Sequence, residues 1–244
     1  MHRFFVSPSQ VQQDKVYFSP EQARQMATVL RLRQGHDVLV LDNTGLCYRV
    51  QLGNVTPASA FGEVQETGQA DGEPQVRITL FQALLKGQKW EYLLQKGTEV
   101  GISDFVPTLC QRSVSRYDQA SWESKLRRWQ TILKEAAEQS GRGRLPVLHA
   151  PMTSVMACQS AEGLGVLAYE EERETSLREV LASSPTVSHL SLYVGPEGGF
   201  TQDEVALARQ HGIRVVSLGR RILRAETAGV IASAAILYAL GDLG

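Results

Sequence analysis

The stretch LSLYVGPEGGF, residues 190–200, decides the fold of this chain of 244 residues. Residues 190–194 form a short and mostly apolar run, which predicts a buried strand. The run leads into a loop with two adjacent glycines, Gly198 and Gly199, which allow positive φ and a close approach of the backbone to a ligand. Pro196 restricts the backbone at the entry to this loop. The stretch therefore predicts a strand followed by a ligand-binding loop, with an ordinary tight turn between strand and helix as the alternative.

A second loop has the same position relative to a strand. The sequence LGRRILRAETA, residues 218–228, follows a predicted strand at 215–218. It places two apolar residues, Ile222 and Leu223, among arginines, which favours a slot for a planar base; the alternative is that both residues plug the core. Because the carboxyl ends of parallel strands meet at one edge of a sheet, we expect the two loops to lie side by side.

Strands and helices alternate over the rest of the C-terminal part. The predicted strands cover residues 76–84, 105–109, 165–168, 190–194 and 215–218. The predicted helices cover residues 89–100, 122–139, 176–182, 203–211 and 226–240. This alternation predicts an α/β domain in which helices cover both faces of a parallel sheet.

The N-terminal part has a different pattern. Short segments of high β propensity lie at 3–6, 15–18, 37–41, 48–52 and 59–64, with a hairpin turn at 42–45. Ser19 and Pro20 predict the start of one helix that runs to about Leu30. The polar segment 66–74 predicts a linker. We therefore expect a small β-barrel with one helix over residues 1–70 and the α/β domain over residues 74–244.

Composition and charge restrict the class of protein. The formal net charge is −1, which argues against a strongly basic, nonspecific nucleic-acid binder. Basic residues are concentrated between positions 112 and 144, which fits a selective RNA partner. The three cysteines are far apart and give neither a disulfide framework nor a metal site. With no predicted signal peptide or membrane-spanning stretch, we expect a cytoplasmic protein that contacts no membrane and needs no metal.

Several motifs resemble one known family. GPEGGF at 195–200 and LGRRILRAETA at 218–228 resemble the signature of the SPOUT methyltransferases, in particular of the RsmE family. The segments 29–32 (VLRL), 84–87 (LLKG), 95–101 (QKGTEVG) and 128–146 resemble further parts of that family. The resemblance covers most of the chain, in order.

The resemblance implies a fold and an activity. It implies a SPOUT-type parallel sheet with a deep trefoil knot, which is rare among proteins, and an N-terminal PUA-like β-barrel that binds RNA. Members of the family use S-adenosylmethionine to methylate N3 of a uridine in the 16S rRNA of the small ribosomal subunit. SPOUT enzymes usually form homodimers with the active site at the interface. We therefore expect a homodimer here, with residues 226–240 as a candidate part of its interface.

The resemblance also implies the residues of the cofactor site. They are Leu167, Ala168, Tyr169, Gly195, Glu197, Gly198, Gly199, Leu218, Gly219, Ile222, Leu223 and Ala225. Methylation at N3 needs removal of the N3 proton and stabilisation of the negative charge that develops on the uracil oxygens. We assign the cationic donor to Arg224, with an ion pair to Glu226 or a phosphate as the alternative role. Glu197 is the candidate proton acceptor; the alternative is that it orients the backbone or binds the amino group of the cofactor. Glu138 is the second candidate, with an ordinary position on a helix surface as the alternative.

Basic residues are the candidates for RNA contact. They are Arg3, Arg31 and Arg33 in the N-terminal part and Lys86, Lys96, Arg112, Arg116 and Arg142 further along the chain. Three other functions stay open at this point. They are a different SPOUT activity (ribose 2′-O methylation or methylation of transfer RNA), a noncatalytic RNA-binding assembly factor, and a small-molecule enzyme with a phosphate-cradling glycine loop.

Overall fold

The computed structural model describes residues 1–113 and 118–243. The chain divides into two compact units. The first unit holds Met1–Glu73 and Ala137–Leu145, and the second holds Pro74–Ala136 and Pro146–Gly244. Residues 137–145 come from inside the range that the sequence assigned to the α/β domain. The functions assigned to the two predicted domains stay predictions.

The first unit is built on a six-stranded sheet. Its strands are β1 (His2–Phe5), β2 (Val11–Gln12), β3 (Lys15–Phe18), β4 (Asp37–Leu41), β5 (Leu46–Val55) and β6 (Ala60–Gln69). The order is β1-β4-β5-β6-β3-β2, in which only the β1–β4 pair is parallel. The edge strands β1 and β2 do not pair with each other among the described residues. The sheet is therefore open, whereas the sequence predicted a closed small barrel.

The helix of the first unit is shorter than predicted. Helix α1 covers Pro20–Arg24, and its N-cap Ser19 accepts a hydrogen bond from the Gln22 backbone N–H at 3.2 Å. Gln25–Val29 continues as a π-helical turn, in which the Leu30 N–H donates to the Gln25 carbonyl at 3.0 Å. Propensity alone does not distinguish this wider turn from an α-helical one, since both keep Met26 in the core.

The predicted linker at 66–74 is wrong in its first half. Residues 66–69 belong to β6, which pairs with β5 along its whole length. The paired side chains are polar and exposed here, so they show no alternation of apolar and polar residues. Backbone hydrogen bonds to β5 hold the strand without burial of its side chains.

The second unit has a seven-stranded sheet in which every pair of strands is parallel. The strands are β7 (Arg77–Ala83), β8 (Asp104–Leu109), β9 (Val147–Leu148), β10 (Met152–Thr153), β11 (Leu164–Ala168), β12 (His189–Val194) and β13 (Arg214–Val216). The order is β10-β8-β7-β12-β11-β13, and β9 pairs with β8 beside β10. The predicted α/β class with a parallel sheet is confirmed.

Helices cover this sheet on both faces. They are α2 (Gln88–Val100), α3 (Gln119–Ser140), α4 (Ser154–Gln159), α5 (Leu177–Ala182), α6 (Gln202–Gln210) and α7 (Ala225–Ala239). Leu80 points into the core beneath α2 and α7, and its neighbour Phe81 points into the core on the other face. The Phe81 ring stacks on that of Tyr193 with centroids 4.5 Å apart. This alternation explains why the strands read as continuous apolar runs. None of the helices in the described ranges combines the length and the apolar character that crossing a bilayer requires.

Candidate active site

A cavity of about 390 Å³ opens at the carboxyl ends of β11, β12 and β13. The three loops that follow these neighbouring strands supply most of its wall. The lining residues are Lys89, Ala168, Tyr169, Glu170, Arg173, Val194, Gly195, Pro196, Glu197, Gly199, Ser217, Leu218, Gly219, Arg220, Arg221, Ile222, Leu223, Arg224, Ala225 and Ala228. The two loops that the sequence singled out therefore lie side by side, as the parallel sheet predicts.

The glycine loop after β12 needs its glycines for two different reasons. Gly199 has φ of 70°, and its N–H closes a turn by donating to the Pro196 carbonyl at 2.9 Å. A Cβ at Gly199 would overlap the Glu170 carboxylate. A Cβ at Gly195 would lie 3.0 Å from the Phe200 ring. A side chain at Gly195 would therefore press on this ring, whereas Gly199 is favoured by its positive φ.

Two polar groups hold this loop from outside the cavity. The Arg112 guanidinium donates to the Gly198 carbonyl at 3.1 Å. Thr201 caps α6, where its Oγ1 accepts from the Glu204 N–H and the Glu204 carboxylate accepts from the Thr201 N–H. Such a capping box fixes the start of the helix directly after the loop. Arg112, predicted to contact RNA, thus has a bond within the unit as well.

The loop after β13 presents one apolar side chain to solvent. Gly219 has φ of 111°, and its N–H donates to Ser217 Oγ at 3.2 Å. Ile222 is 82% exposed, whereas Leu223 packs in part against the core beneath α2 and α7. Leu223 therefore contributes to the core, as the alternative interpretation has it, whereas Ile222 does not.

Arg224 is the N-cap residue of α7, and its side chain is exposed at the cavity. Within the described part of the chain its guanidinium forms no hydrogen bond or ion pair. The alternative role as an ion-pair partner of Glu226 is therefore not realised. The guanidinium is available to a ligand in the cavity.

A lysine that the sequence did not single out joins two acidic residues of the site. Lys89 Nζ lies 2.7 Å from Glu197 Oε1 and 3.9 Å from Glu226 Oε2. The hydrogen bond from Lys89 lowers the pKa of Glu197, and the same bond raises the pKa of Lys89. A carboxylate with a lowered pKa is a weaker base, so the predicted role of Glu197 as proton acceptor loses physical support.

Most of the residues predicted to hold the cofactor line this cavity. They are Ala168, Tyr169, Gly195, Glu197, Gly199, Leu218, Gly219, Ile222, Leu223 and Ala225. Leu167 does not, because its side chain lies in the core with Tyr193. Gly198 does not either, since its Cα faces Arg112. Glu170, Arg173 and Arg221 also line the cavity, although the sequence analysis did not select them. Each follows a predicted strand, and this position could have identified them.

The residues predicted to contact RNA are in diverse surroundings. Arg31, Arg33 and Lys86 are exposed, and Arg3 is half-buried. Lys96 forms an ion pair with Glu99 at 2.8 Å. Arg116 lies outside the described residues.

Arg142 has a structural role in the first unit. It is 2% exposed, and its guanidinium donates two hydrogen bonds of 3.0 Å to the Glu73 carboxylate. A buried pair of this kind is costly to break. The prediction that Arg142 contacts RNA is therefore replaced by a role in holding residues 137–145 to the first unit. The second candidate base, Glu138, accepts a bond from the Phe5 N–H at 3.0 Å in the same unit and does not line the cavity.

The described residues contain no group of three or more His, Cys, Asp or Glu side chains placed to hold a metal ion.

Comparisons with known proteins agree on one family. Residues 72–237 match the model of the RNA methyltransferase domain. The ribosomal RNA small subunit methyltransferase E of Synechocystis is 36% identical over 96% of this chain and 77% of its own length. The corresponding protein of Bacillus subtilis is 32% identical over 98% of this chain and 96% of its own length.

A solved structure shows the same fold over nearly the whole chain. It is that of a ribosomal RNA small subunit methyltransferase E from Neisseria gonorrhoeae bound to S-adenosyl methionine. The TM-score is 0.88 at 28% identity, over 98% of this chain and 97% of the other.

Proposed function

The chain belongs to the family of ribosomal RNA small subunit methyltransferase E, and on that premise we propose that it transfers a methyl group from S-adenosylmethionine to N3 of a uridine in 16S rRNA. The observation that carries the proposal is the cavity at the carboxyl ends of three neighbouring strands, lined in part by Arg224, whose guanidinium has no partner among the residues described. A cytoplasmic location follows from this substrate.

The cavity fits the proposed cofactor in size and in lining. Its volume of about 390 Å³ lies in the range of small-molecule sites. Gly195 and Gly199 expose backbone groups at its wall, while Leu218 and Leu223 offer apolar contact to a planar ring. When bound, S-adenosylmethionine supplies an electrophilic methyl group on a positively charged sulfur. The backbone of the loops after β11, β12 and β13 would hold its adenosine and methionine parts.

The chain's own residues prepare the target base. Arg224 donates hydrogen bonds to the uracil oxygens, where negative charge develops as N3 loses its proton. The loops hold N3 close to the methyl group, and such positioning by itself lowers the barrier by several kcal/mol, on the order of 7 in favourable cases. Lys89 keeps Glu197 ionised and fixed at the cavity wall. A metal is not needed for methyl transfer from a sulfonium.

The first unit would bind the RNA that carries the target base. Arg31 has φ of 53°, directly after the π-helical turn, so its side chain is presented on a bent and exposed segment. Residues held in such sparsely populated conformations concentrate at functional sites. Arg33 is exposed two positions later. The resemblance to PUA-like domains supports the same assignment.

Replacement of both Arg31 and Arg33 by Ala tests this surface. We expect weaker binding to small-subunit RNA and a slope of log Kd against log salt that is smaller by about 2, because about two phosphate contacts are lost. Fluorescence anisotropy over a salt series gives both values. Arg49→Ala is the matched control, since Arg49 pairs with Asp37 at 2.8 Å in the same unit. An unchanged slope in the double variant would place the RNA elsewhere.

The family resemblance also supports a deep trefoil knot in the second unit. The three loops of the cavity are the part of the chain that the knot would hold together.

We propose that the protein acts as a homodimer through the exposed face of α7. The only charged residue of this helix is Glu226, which is buried. Ile231 and Tyr238, two turns apart on one side of the helix, are 50% and 72% exposed. An uncharged apolar face that reaches solvent indicates an interaction surface. In a twofold dimer each protomer uses the same face.

Tyr238→Glu tests the dimer. Two buried carboxylates would enter the interface, one from each protomer, so we expect a shift from dimer to monomer in light scattering. Val155→Glu, at an exposed apolar position on α4, is the control and should leave the protein a dimer in light scattering. A dimer that persists in Tyr238→Glu would show that another surface is used.

The substrate class is tested by offering several RNAs in parallel. Purified protein and labelled S-adenosylmethionine are incubated with unmodified small ribosomal subunits, with their protein-free RNA and with transfer RNA. Label in small-subunit RNA alone supports the proposal. Label in transfer RNA alone would favour a different SPOUT activity. Cofactor binding without any transfer would favour an assembly factor.

A further inference from the structure

A group of charged side chains lies where α2 and α7 pack together beside the cavity. Lys89, which lines the cavity, lies between Glu197 and Glu226 at 2.7 and 3.9 Å. Glu226 is in the first turn of α7, and its neighbours Ala225 and Ala228 line the cavity. Glu226 is not itself among the residues that line the cavity, but its carboxylate lies 3.9 Å from Lys89, which is.

Glu226 differs from the other carboxylates of the site in its surroundings. The residue is 9% exposed, and within the described part of the chain its buried Oε2 has no hydrogen-bond partner. A buried carboxylate oxygen without a donor is costly, so its presence needs a reason. The side chain keeps 11% of its surface accessible, while its Oε2 atom is buried.

The other candidates are engaged or placed differently. Glu197 accepts a hydrogen bond from Lys89, which lowers the pKa of Glu197 and weakens it as a base. Glu170 lies against Gly199, in the loop where the cofactor is proposed to bind. Glu138 belongs to the first unit and accepts a bond from the Phe5 N–H.

We propose that Glu226 is the proton acceptor for N3 of the target uridine, an inference that rests on the proposed function. The N3–H bond breaks and the proton goes to the Glu226 carboxylate, which becomes a carboxylic acid. The electron pair left on N3 takes the methyl group, whose former bonding pair stays on the donor sulfur. Lys89, which lies 3.9 Å from this carboxylate, and Arg224 at the cavity supply positive charge that stabilises the uracil anion as it forms.

The test compares the wild type with Glu226→Gln on two transcripts of small-subunit RNA. One transcript contains uridine, and the other contains 5-fluorouridine, whose N3 is more acidic. On uridine RNA we expect Glu226→Gln to lower kcat by about 100-fold or more, the usual contribution of a general base. On 5-fluorouridine RNA the ratio of wild-type kcat to Glu226→Gln kcat should be about tenfold smaller, because a more acidic N3 loses its proton more easily without a general base. Titration calorimetry should give the same affinity for S-adenosylmethionine in both proteins.

Glu204→Gln is the matched control. Glu204 is also a buried carboxylate, but it caps α6 and accepts from the Gln111 and Thr201 N–H groups at 3.0 Å each. Any loss in this variant should be equal on the two RNAs.

Two results would overturn the assignment of Glu226. One is an equal loss in Glu226→Gln on both RNAs, and the other is a loss of cofactor affinity as large as the loss of turnover. A wild-type product other than 3-methyluridine would contradict the proposed function itself and remove the inference with it. Nucleoside analysis of the wild-type reaction separates these failures.

Discussion

Arg224→Ala should lower kcat for methyl transfer by about 100-fold or more and leave the affinity for S-adenosylmethionine within about twofold. The physical reason is that the Arg224 guanidinium has no hydrogen-bond or ion-pair partner within the described part of the chain, so its removal breaks no such bond. Its guanidinium acts only when negative charge develops on the uracil oxygens. An interaction made in the transition state alone changes kcat and not the binding of the cofactor.

Single-turnover kinetics and titration calorimetry measure the two quantities separately. Arg214→Ala is the control, because Arg214 lies at the start of β13, outside the cavity, and donates to Ser183 Oγ at 3.1 Å. Arg214→Ala should lower neither kcat nor the affinity for S-adenosylmethionine. Equal losses of turnover and cofactor affinity in Arg224→Ala would make Arg224 a binding residue for the cofactor instead.

Gly199→Ala should weaken the binding of S-adenosylmethionine. An alanine at φ of 70° costs about 1 kcal/mol by itself. The Cβ would also overlap the carboxylate of Glu170, an exposed side chain that has to turn away from its place at the cavity. Because both residues line the cavity, we expect an affinity about tenfold lower, which corresponds to about 1.4 kcal/mol.

Gly212→Ala separates the two contributions. Gly212 has φ of 74°, close to that of Gly199, but its Cβ would meet nothing within 4 Å. It should lower the melting temperature by a few degrees, about what 1 kcal/mol produces in a domain of this size, and leave cofactor binding intact. If Gly199→Ala behaves like Gly212→Ala, the contact with Glu170 has no part in shaping the cavity.

The parallel sheet and the position of the site could be predicted from the sequence for one physical reason. Strands buried on both faces read as uninterrupted apolar runs, and the loops after 190–194 and 215–218 carry glycines and arginines that no core needs. The carboxyl ends of parallel strands lie at one edge of the sheet, so these loops line one cavity although β11 lies between their strands. The pattern is local, so it is readable from a single chain.

The features that the sequence did not predict depend on contacts between distant residues. Lys89 and Glu197 are 108 positions apart, and nothing local indicates that they meet. Arg142 reads as a surface arginine until Glu73 is placed beside it. The tail of β6 is a strand only because β5 pairs with it, since its own side chains are polar.

The measurement that tests the central claim most directly is nucleoside mass spectrometry of small-subunit RNA after incubation with the protein and S-adenosylmethionine. The methyl group at N3 of uridine gives 3-methyluridine, which chromatography separates from the isomers methylated at the ribose or at C5. We predict 3-methyluridine as the single new product, in an amount that approaches one per RNA molecule. A ribose-methylated product, or no new nucleoside while the cofactor binds, would contradict the account.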